Sequence, residues 1–188
     1  FVRVREFFSH SIKQLTERCI LDPGIEAEVI IRHVLGLSRV ELIVTSDEFL
    51  SSSNEEQLFT FLDRRLEGEP LTYMLNQREF YGLDFVVTPE VLIPRQESEL
   101  LVDKVLEYAE RVNNKHLRIV DVGTGSGVLA ITIARYLPDA TIYATDVSRK
   151  ALFVADTNRR KHRVSDRVYL CQADLLQAIN GPIDIKIS

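Results

Sequence analysis

"RIVDVGTGSGVLAITIA", residues 118–134, decides how this chain folds. Ile119, Val120 and Val122 make an apolar run that leads into three glycines, Gly123, Gly125 and Gly127. From Val128 a longer run of small and apolar residues leads out. The first run reads as a buried strand and the second as a helix. Glycines at such a junction let a backbone come close to a ligand. In that place the loop amides and the helix N-terminus are expected to face a ligand at the carboxyl edge of a sheet. A tight turn with packing glycines is the alternative.

The neighbouring segments extend the pattern. "RQESELLVDKVLEYAERV" reads as an amphipathic helix, "ATIYATD" as a strand, and "SRKALFVADTNRRK" as a helix. "RVYLCQAD" reads as a strand, "LLQAIN" as a short helix and "IDIKIS" as a strand. Strands alternating with helices from residue 95 onward predict a parallel α/β sheet with right-handed crossovers. Before it, "PLTYMLNQREFYGLDFVVTPEVLIP" is rich in aromatic and β-branched residues and is punctuated by Gly82 and Pro89, which predicts a β-hairpin or a pair of strands. Residues 2–68 read as helices. Val4, Phe7, Phe8, Ile12 and Leu15 recur at helical spacing. Asp22 before Pro23 is the expected N-cap of a second helix that meets Gly36 near its end, and Ser53 with Glu56 has capping-box spacing ahead of Gly68. The expected domains are a helical bundle over 1–69, a hairpin linker over 70–94 and a ligand-binding α/β domain over 95–188.

The bulk numbers agree with a folded chain. Of 188 residues 45% are hydrophobic, and mean hydropathy is −0.03. That composition sustains a packed core. No apolar run approaches the length of a membrane span. The charge-interrupted start is not a secretory signal, and without an initiating Met some N-terminal residues are expected to precede it. Cys19 and Cys171 lie far apart and the four histidines form no ligand pattern, so no metal is expected and the thiols suit a reducing cytoplasm. The net charge of −5 is uneven: residues 1–70 carry 8 basic and 13 acidic side chains, residues 71–188 carry 15 of each. An acidic first third argues against a direct grip on nucleic acid and suits either a basic protein partner or simple solubility.

The loop itself discriminates between ligands. The dinucleotide fingerprint G-x-G-x-x-G would put its third glycine at Val128, so it fails by one place. The pattern is D-x-G-x-G-x-G, with Asp121 two residues before the first glycine. That form suits S-adenosylmethionine (SAM), which has no pyrophosphate but needs acceptors for an ammonium group and ribose hydroxyls. Asp146 ends the next strand, where a carboxylate can accept from both ribose hydroxyls; capping the helix that begins at Ser148 is its alternative role. Asp174 ends the third strand, close to where an adenine amine would lie, and Leu175 can pack on the ring; a cap and a core residue are the alternatives. The basic run "RRKHR", 159–163, falls at a helix end, where cations complement the dipole.

Taken together, "GEPLTYMLNQREFYGLDF", "VLIPRQESELLV", "VDVGTGSGVLAI", "ATDVSRKALFVADTN" and "QADLL", in this order and spacing, resemble the HemK/PrmC family, the N5-glutamine methyltransferases of peptide-chain release factors. The likeness covers nearly the whole chain and is weakest in the first seventy residues. "IPRQESELLV" is its more specific motif, with Ser98 where the family has Thr; the glycine motif is shared by most SAM methyltransferases. The resemblance implies a helical N-terminal domain over 1–69 that recognises the substrate protein, a hairpin linker and a Rossmann-like SAM-dependent methyltransferase domain that is incomplete over 95–188. It implies SAM as methyl donor and the Gln of a release factor's Gly-Gly-Gln loop as acceptor. By position, Gly123, Thr124, Gly125, Ser126 and Gly127 would line the methionine end of SAM, Asp146 would hold the ribose, and Asp174 with Leu175 would flank the adenine. Arg95, Glu97 and Glu99 match the linker motif and are expected either to shape the pocket wall or to tie the linker to the domain. A cytoplasmic monomer acting on a protein, with no membrane, follows.

The family's catalytic Asn-Pro-Pro-Tyr signature follows the fourth strand. "IDIKIS" fits that strand, with Asp184 and Ser188 in register, and the sequence stops there. No catalytic residue is therefore assigned, and the chain as written is expected to bind SAM without transferring methyl groups. A ribosomal-protein Gln or a nucleic-acid adenine are alternative acceptors, an inert SAM-binding fragment is a nonenzymatic alternative, and an NAD-linked oxidoreductase is disfavoured by Val128.

Overall fold

Helical spacing of apolar residues governs the first 75 positions. The computed structural model describes residues 2–114, 116–177 and 179–188. It divides into two units, Phe1–Leu75 and Asn76–Ser188. The first contains α1 (Val4–Glu17), α2 (Pro23–Leu35), α3 (Arg39–Val44), α4 (Ser52–Leu66) and α5 (Leu71–Leu75). Phe7, Leu15, Ile30, Ile31, Leu58 and Leu62 are almost wholly removed from water and form its core. The Phe59 ring meets Phe7 edge-on at 5.1 Å. Arg65 grips Glu26 through two hydrogen bonds of 2.6 and 3.0 Å and so ties α4 to α2.

Two helix starts differ from the sequence expectation. Asp22 does stand before α2, but its backbone is left-handed (φ 51°) and its side chain makes no cap; only its carbonyl accepts, from the amides of Ile25 and Glu26. Side-chain capping needs the extended backbone that Asp22 lacks. The Ser53–Glu56 box is not formed either. Leu50 is locked into the core and its amide bonds to Val2, so Ser51 becomes the N-cap, accepting from Asn54, and Ser53 falls inside the helix. A complete capping box occurs instead at Ser38 and Glu41, which hold α3.

The second unit begins with a hairpin, β1 (Gln77–Phe80) and β2 (Leu83–Val86), joined by Tyr81 and Gly82 at φ 53° and 72°. Two consecutive left-handed residues match the twist of paired strands. The hairpin is shorter than the sequence suggests, because "LTYML" winds into α5 after Pro70, which lacks an amide and whose carbonyl accepts from Tyr73. A 3₁₀ turn (Gln96–Ser98) leads into α6 (Glu99–Val112). Then come β3 (Arg118–Val122), α7 (Val128–Tyr136), β4 (Thr141–Asp146), α8 (Arg149–Lys161), β5 (Val168–Gln172) and β6 (Ile185–Ile187). The expected short helix at "LLQAIN" is absent among the described residues: Leu175 takes φ 51°, which breaks helical winding and leaves a turn, and Ala178 lies outside the described residues. No described helix is long and apolar enough to cross a membrane.

The four strands β5-β4-β3-β6 form one parallel sheet. The order runs outward from β3 through β4 to β5, then returns to place β6 on the other side of β3. This is a Rossmann-like arrangement with its switch point between β3 and β6, and ligands of such sheets bind at the carboxyl ends beside that point. Ile119, Ile131, Ile133 and Ile142, all fully buried, pack the sheet against its helices.

Candidate functional site

The glycine loop leaves β3 at the switch point. Val122 stands opposite Thr145 in the β3–β4 register, so the end of β4 lies alongside the loop. The Thr145 carbonyl accepts from the amides of both Gly123 and Thr124, each at 2.9 Å. Asp146 Oδ2 accepts from the Gly125 amide and its Oδ1 from the Ser148 amide, both at 2.9 Å. The Gly127 amide bonds to the Thr124 carbonyl at 2.8 Å. Four loop amides are thus turned back on the protein, contrary to the expectation that they face a ligand. Positive φ angles of 74°, 55° and 82° at the three glycines coil the loop tightly enough for its donors to close on β4 and on itself.

The glycines do different work. A Cβ at Gly123 or Gly125 would meet nothing within 4 Å, whereas one at Gly127 would come to 2.9 Å from Ile131 Cδ1 and 3.2 Å from Ala155 Cβ. The first two open onto a cleft; the third lets the start of α7 sit against α8. The cleft has a volume of about 370 Å³. One wall is the segment after β2, with Leu92, Pro94 and Arg95; the other is the loop, with Ser188 beyond β6.

Asp121 lies at the cleft floor and is 2% exposed. Burial raises its carboxyl to about 6; bonds from the Thr124 hydroxyl, at 2.6 Å, and the Ala130 amide oppose the rise, and the nearby Asp146 charge adds to it. The floor is therefore an acceptor whose ionised form gains from a cation placed above it.

Of the residues expected from the sequence, Gly123, Thr124, Gly125 and Ser126 line this cleft. Gly127, Asp146, Asp174 and Leu175 do not. Asp146 is half-buried and braces the loop, while the cap of α8 is Ser148, whose hydroxyl accepts from Ala151. Asp174 and Leu175 are exposed after β5, on a turn held to β4 by a 3.0 Å bond from the Thr145 hydroxyl to the Leu175 carbonyl. Arg95 forms part of the cleft wall. Glu99 ties the linker, accepting the Tyr81 amide at 2.7 Å. The Tyr81 hydroxyl donates to Asp103 at 2.7 Å, which pushes it up to about 12. Glu97 is exposed. Among the described residues no group of three or more His, Cys, Asp or Glu side chains is placed to hold a metal ion.

Sequence reading missed Asn158. It follows Ala151, Val154 and Ala155 on the buried face of α8. A polar residue at a core-facing helical position was the available signal.

Comparison with known proteins places the chain. Residues 6–75 match the PrmC N-terminal domain. A release factor glutamine methyltransferase of Moorella thermoacetica is 39% identical over 178 residues, 95% of this chain and 62% of that protein. One from Chlorobaculum tepidum is 38% identical, covering 98% of this chain and 66% of that one. The chain is a HemK/PrmC-like protein. A Coxiella burnetii protein of the same description is 42% identical over 144 residues, 77% of this chain and 51% of its own length. The chain thus spans between half and two thirds of these curated relatives. Residues 103–188 also match ribosomal protein L11 methyltransferase (PrmA). A solved ribosomal protein L11 methylase of Lactobacillus delbrueckii subsp. bulgaricus is 28% identical, covers 53% of this chain and 49% of that one, and has a TM-score of 0.43.

Proposed function

We propose that this chain carries the SAM-binding part of a methyltransferase whose acceptor is the side-chain amide of the Gln in the Gly-Gly-Gln motif of peptide-chain release factors. The observation that carries the cofactor reading is the inward turn of the loop amides above a buried carboxylate. A phosphate-binding loop spends its amides on the ligand; here those of Gly123, Thr124, Gly125 and Gly127 are already engaged. SAM suits what remains, since its ammonium and ribose hydroxyls call for acceptors. Bound there, SAM would supply an activated methyl group.

Each residue then has its own part. Asp121 would face the ammonium. Gly123 and Gly125 would leave room for the methionine end, beside Thr124 and Ser126, with Gly127 keeping the loop and α7 in place. The nucleoside half would reach past the cleft to the ends of β4 and β5, where Asp146 would accept from the ribose with the lone pairs left over by Gly125 and Ser148, and Asp174 and Leu175 would flank the adenine. No residue is assigned to the methyl-transfer step, since the 188 residues contain no Asn-Pro-Pro-Tyr. The family signature acts by aiming a weakly nucleophilic amide nitrogen at the methyl, which is catalysis by orientation. The relatives' names support the release-factor substrate, and the match of residues 6–75 favours it over a ribosomal protein, which the PrmA match alone would suggest. The protein is proposed to work in the cytoplasm as a monomer.

Calorimetric titration of the chain with SAM and with NAD⁺ tests the cofactor. Saturable heat with SAM alone supports it, and preference for NAD⁺ overturns it. Transfer of tritiated methyl from SAM by the gene's full product onto a release factor, lost when the motif's Gln is replaced by Ala, tests the acceptor. Equal labelling of that variant would move the substrate elsewhere.

A further inference from the structure

One buried amide joins the end of the hairpin to the glycine loop. Asn158 is fully buried. Its Oδ1 accepts the Val86 amide at 2.7 Å, and its Nδ2 donates to the Val86 carbonyl at 2.9 Å and to the Ser126 carbonyl at 2.8 Å. Val86 ends the hairpin, and the chain runs from it directly to Leu92, Pro94 and Arg95. Ser126 belongs to the glycine loop opposite. Alternate residues of a strand point their backbone groups to one side. Asp84 and Val86 therefore share an edge of β2, and α8 with its C-cap satisfies both: one turn after Asn158, His162 Nε2 lies 3.0 Å from the Asp84 carbonyl, with its ring 4.7 Å from that of Phe85. Asn158 and His162 both seat the hairpin, and of these two Asn158 alone also reaches the loop.

We propose that Asn158 is a positioning residue that couples the seat of the hairpin to the shape of the glycine loop, so that cofactor affinity and hairpin order depend on each other. The part concerning SAM rests on the cofactor reading above. An amide suits this role, because it offers an acceptor to one backbone amide and two donors to two carbonyls, and no other uncharged side chain of that size does both. Leaving buried backbone groups unpaired is costly, so the end of the hairpin and the loop hold one relative position while the amide is in place. Linkage is reciprocal: if the seated hairpin favours the cofactor, the cofactor must favour the seated hairpin.

The test is hydrogen exchange on the whole chain, with and without SAM, in the natural sequence, in Asn158→Asp and in His162→Ala. Asn158→Asp keeps the size and the acceptor but faces two carbonyls with a carboxylate oxygen. His162→Ala loosens the hairpin without touching the loop. In the natural chain SAM should slow exchange of the Val86 amide, which lies outside the cleft lining. In Asn158→Asp SAM affinity should fall at least tenfold, and saturating SAM should no longer slow exchange at Val86. A residue that merely stabilised the fold would leave that protection intact once SAM was saturating. Without ligand, His162→Ala should speed exchange at Val86 and also at Gly127, through Asn158. Unchanged exchange at Gly127 in His162→Ala, or unchanged SAM affinity in Asn158→Asp, overturns the coupling. Should Asn158→Asp not fold, the His162→Ala result decides alone. Should the natural chain bind no SAM, the cofactor reading fails, and the ligand-free exchange at Gly127 still decides the coupling.

Discussion

Replacing Gly127 and Gly125 by Ala, one at a time, should separate what holds the loop together from what receives the ligand. Both residues sit at positive φ, 82° and 55°, and a side chain there costs about 1–2 kcal/mol. At Gly125 the new methyl stands in open space, so the loss of stability should stop near that figure. At Gly127 it meets Ile131 at 2.9 Å and Ala155 at 3.2 Å, both buried, and forcing a methyl into a packed contact adds about 1–3 kcal/mol. The total for Gly127→Ala is about 2–5 kcal/mol, a large part of the roughly 6–17 kcal/mol that a unit of this length possesses. Urea unfolding followed by tyrosine fluorescence reads the difference, because five of the six tyrosines lie in Asn76–Ser188. Binding should show the reverse order. The Gly125→Ala methyl occupies the cleft, so calorimetry should give SAM affinity at least tenfold weaker, about 1.4 kcal/mol. Equal unfolding midpoints for the two variants would refute the packing argument. Full SAM affinity in Gly125→Ala would refute the placement of the ligand.

Three further outcomes are expected. SAM should bind more tightly as pH rises through 6, because ionised Asp121 attracts the ammonium, and Asp121→Asn should flatten that dependence in calorimetry; the raised carboxyl acts with the opposite sign on the empty fold, whose urea stability this group should increase as pH falls from 6 towards 3.8. Asp146→Ala should weaken SAM binding by about 1–3 kcal/mol, the cost of leaving buried hydroxyls and the Gly125 amide without an acceptor, and unchanged affinity would leave Asp146 as a loop brace only. If the acidic first unit docks on a basic partner, its association rate with a release factor should fall as salt rises; a stopped-flow rate independent of salt would return those charges to solubility.

Much of this protein follows from local pattern. An apolar run ending in D-x-G-x-G-x-G fixes a strand, a loop and a helix, because side-chain periodicity and positive φ act within a few residues. The same logic places α1, α6, α8 and a hairpin punctuated by Gly82. Short-range ambiguity explains the local misses: three consecutive serines all offer a cap, and only the burial of Leu50 selects Ser51. The tertiary structure decided what depends on distant partners. Whether loop amides face a ligand or β4 was settled by the end of β4, some twenty residues on, which supplies the Thr145 carbonyl and the Asp146 carboxylate. The raised carboxyl of Asp121 needs the burial that α7 and the sheet create. Asn158 reads as one polar residue in a helix until the fold brings it to Val86, 72 positions earlier, and to Ser126. Sequence period sets which face of an element is apolar; only the packed chain sets which polar groups must then find each other.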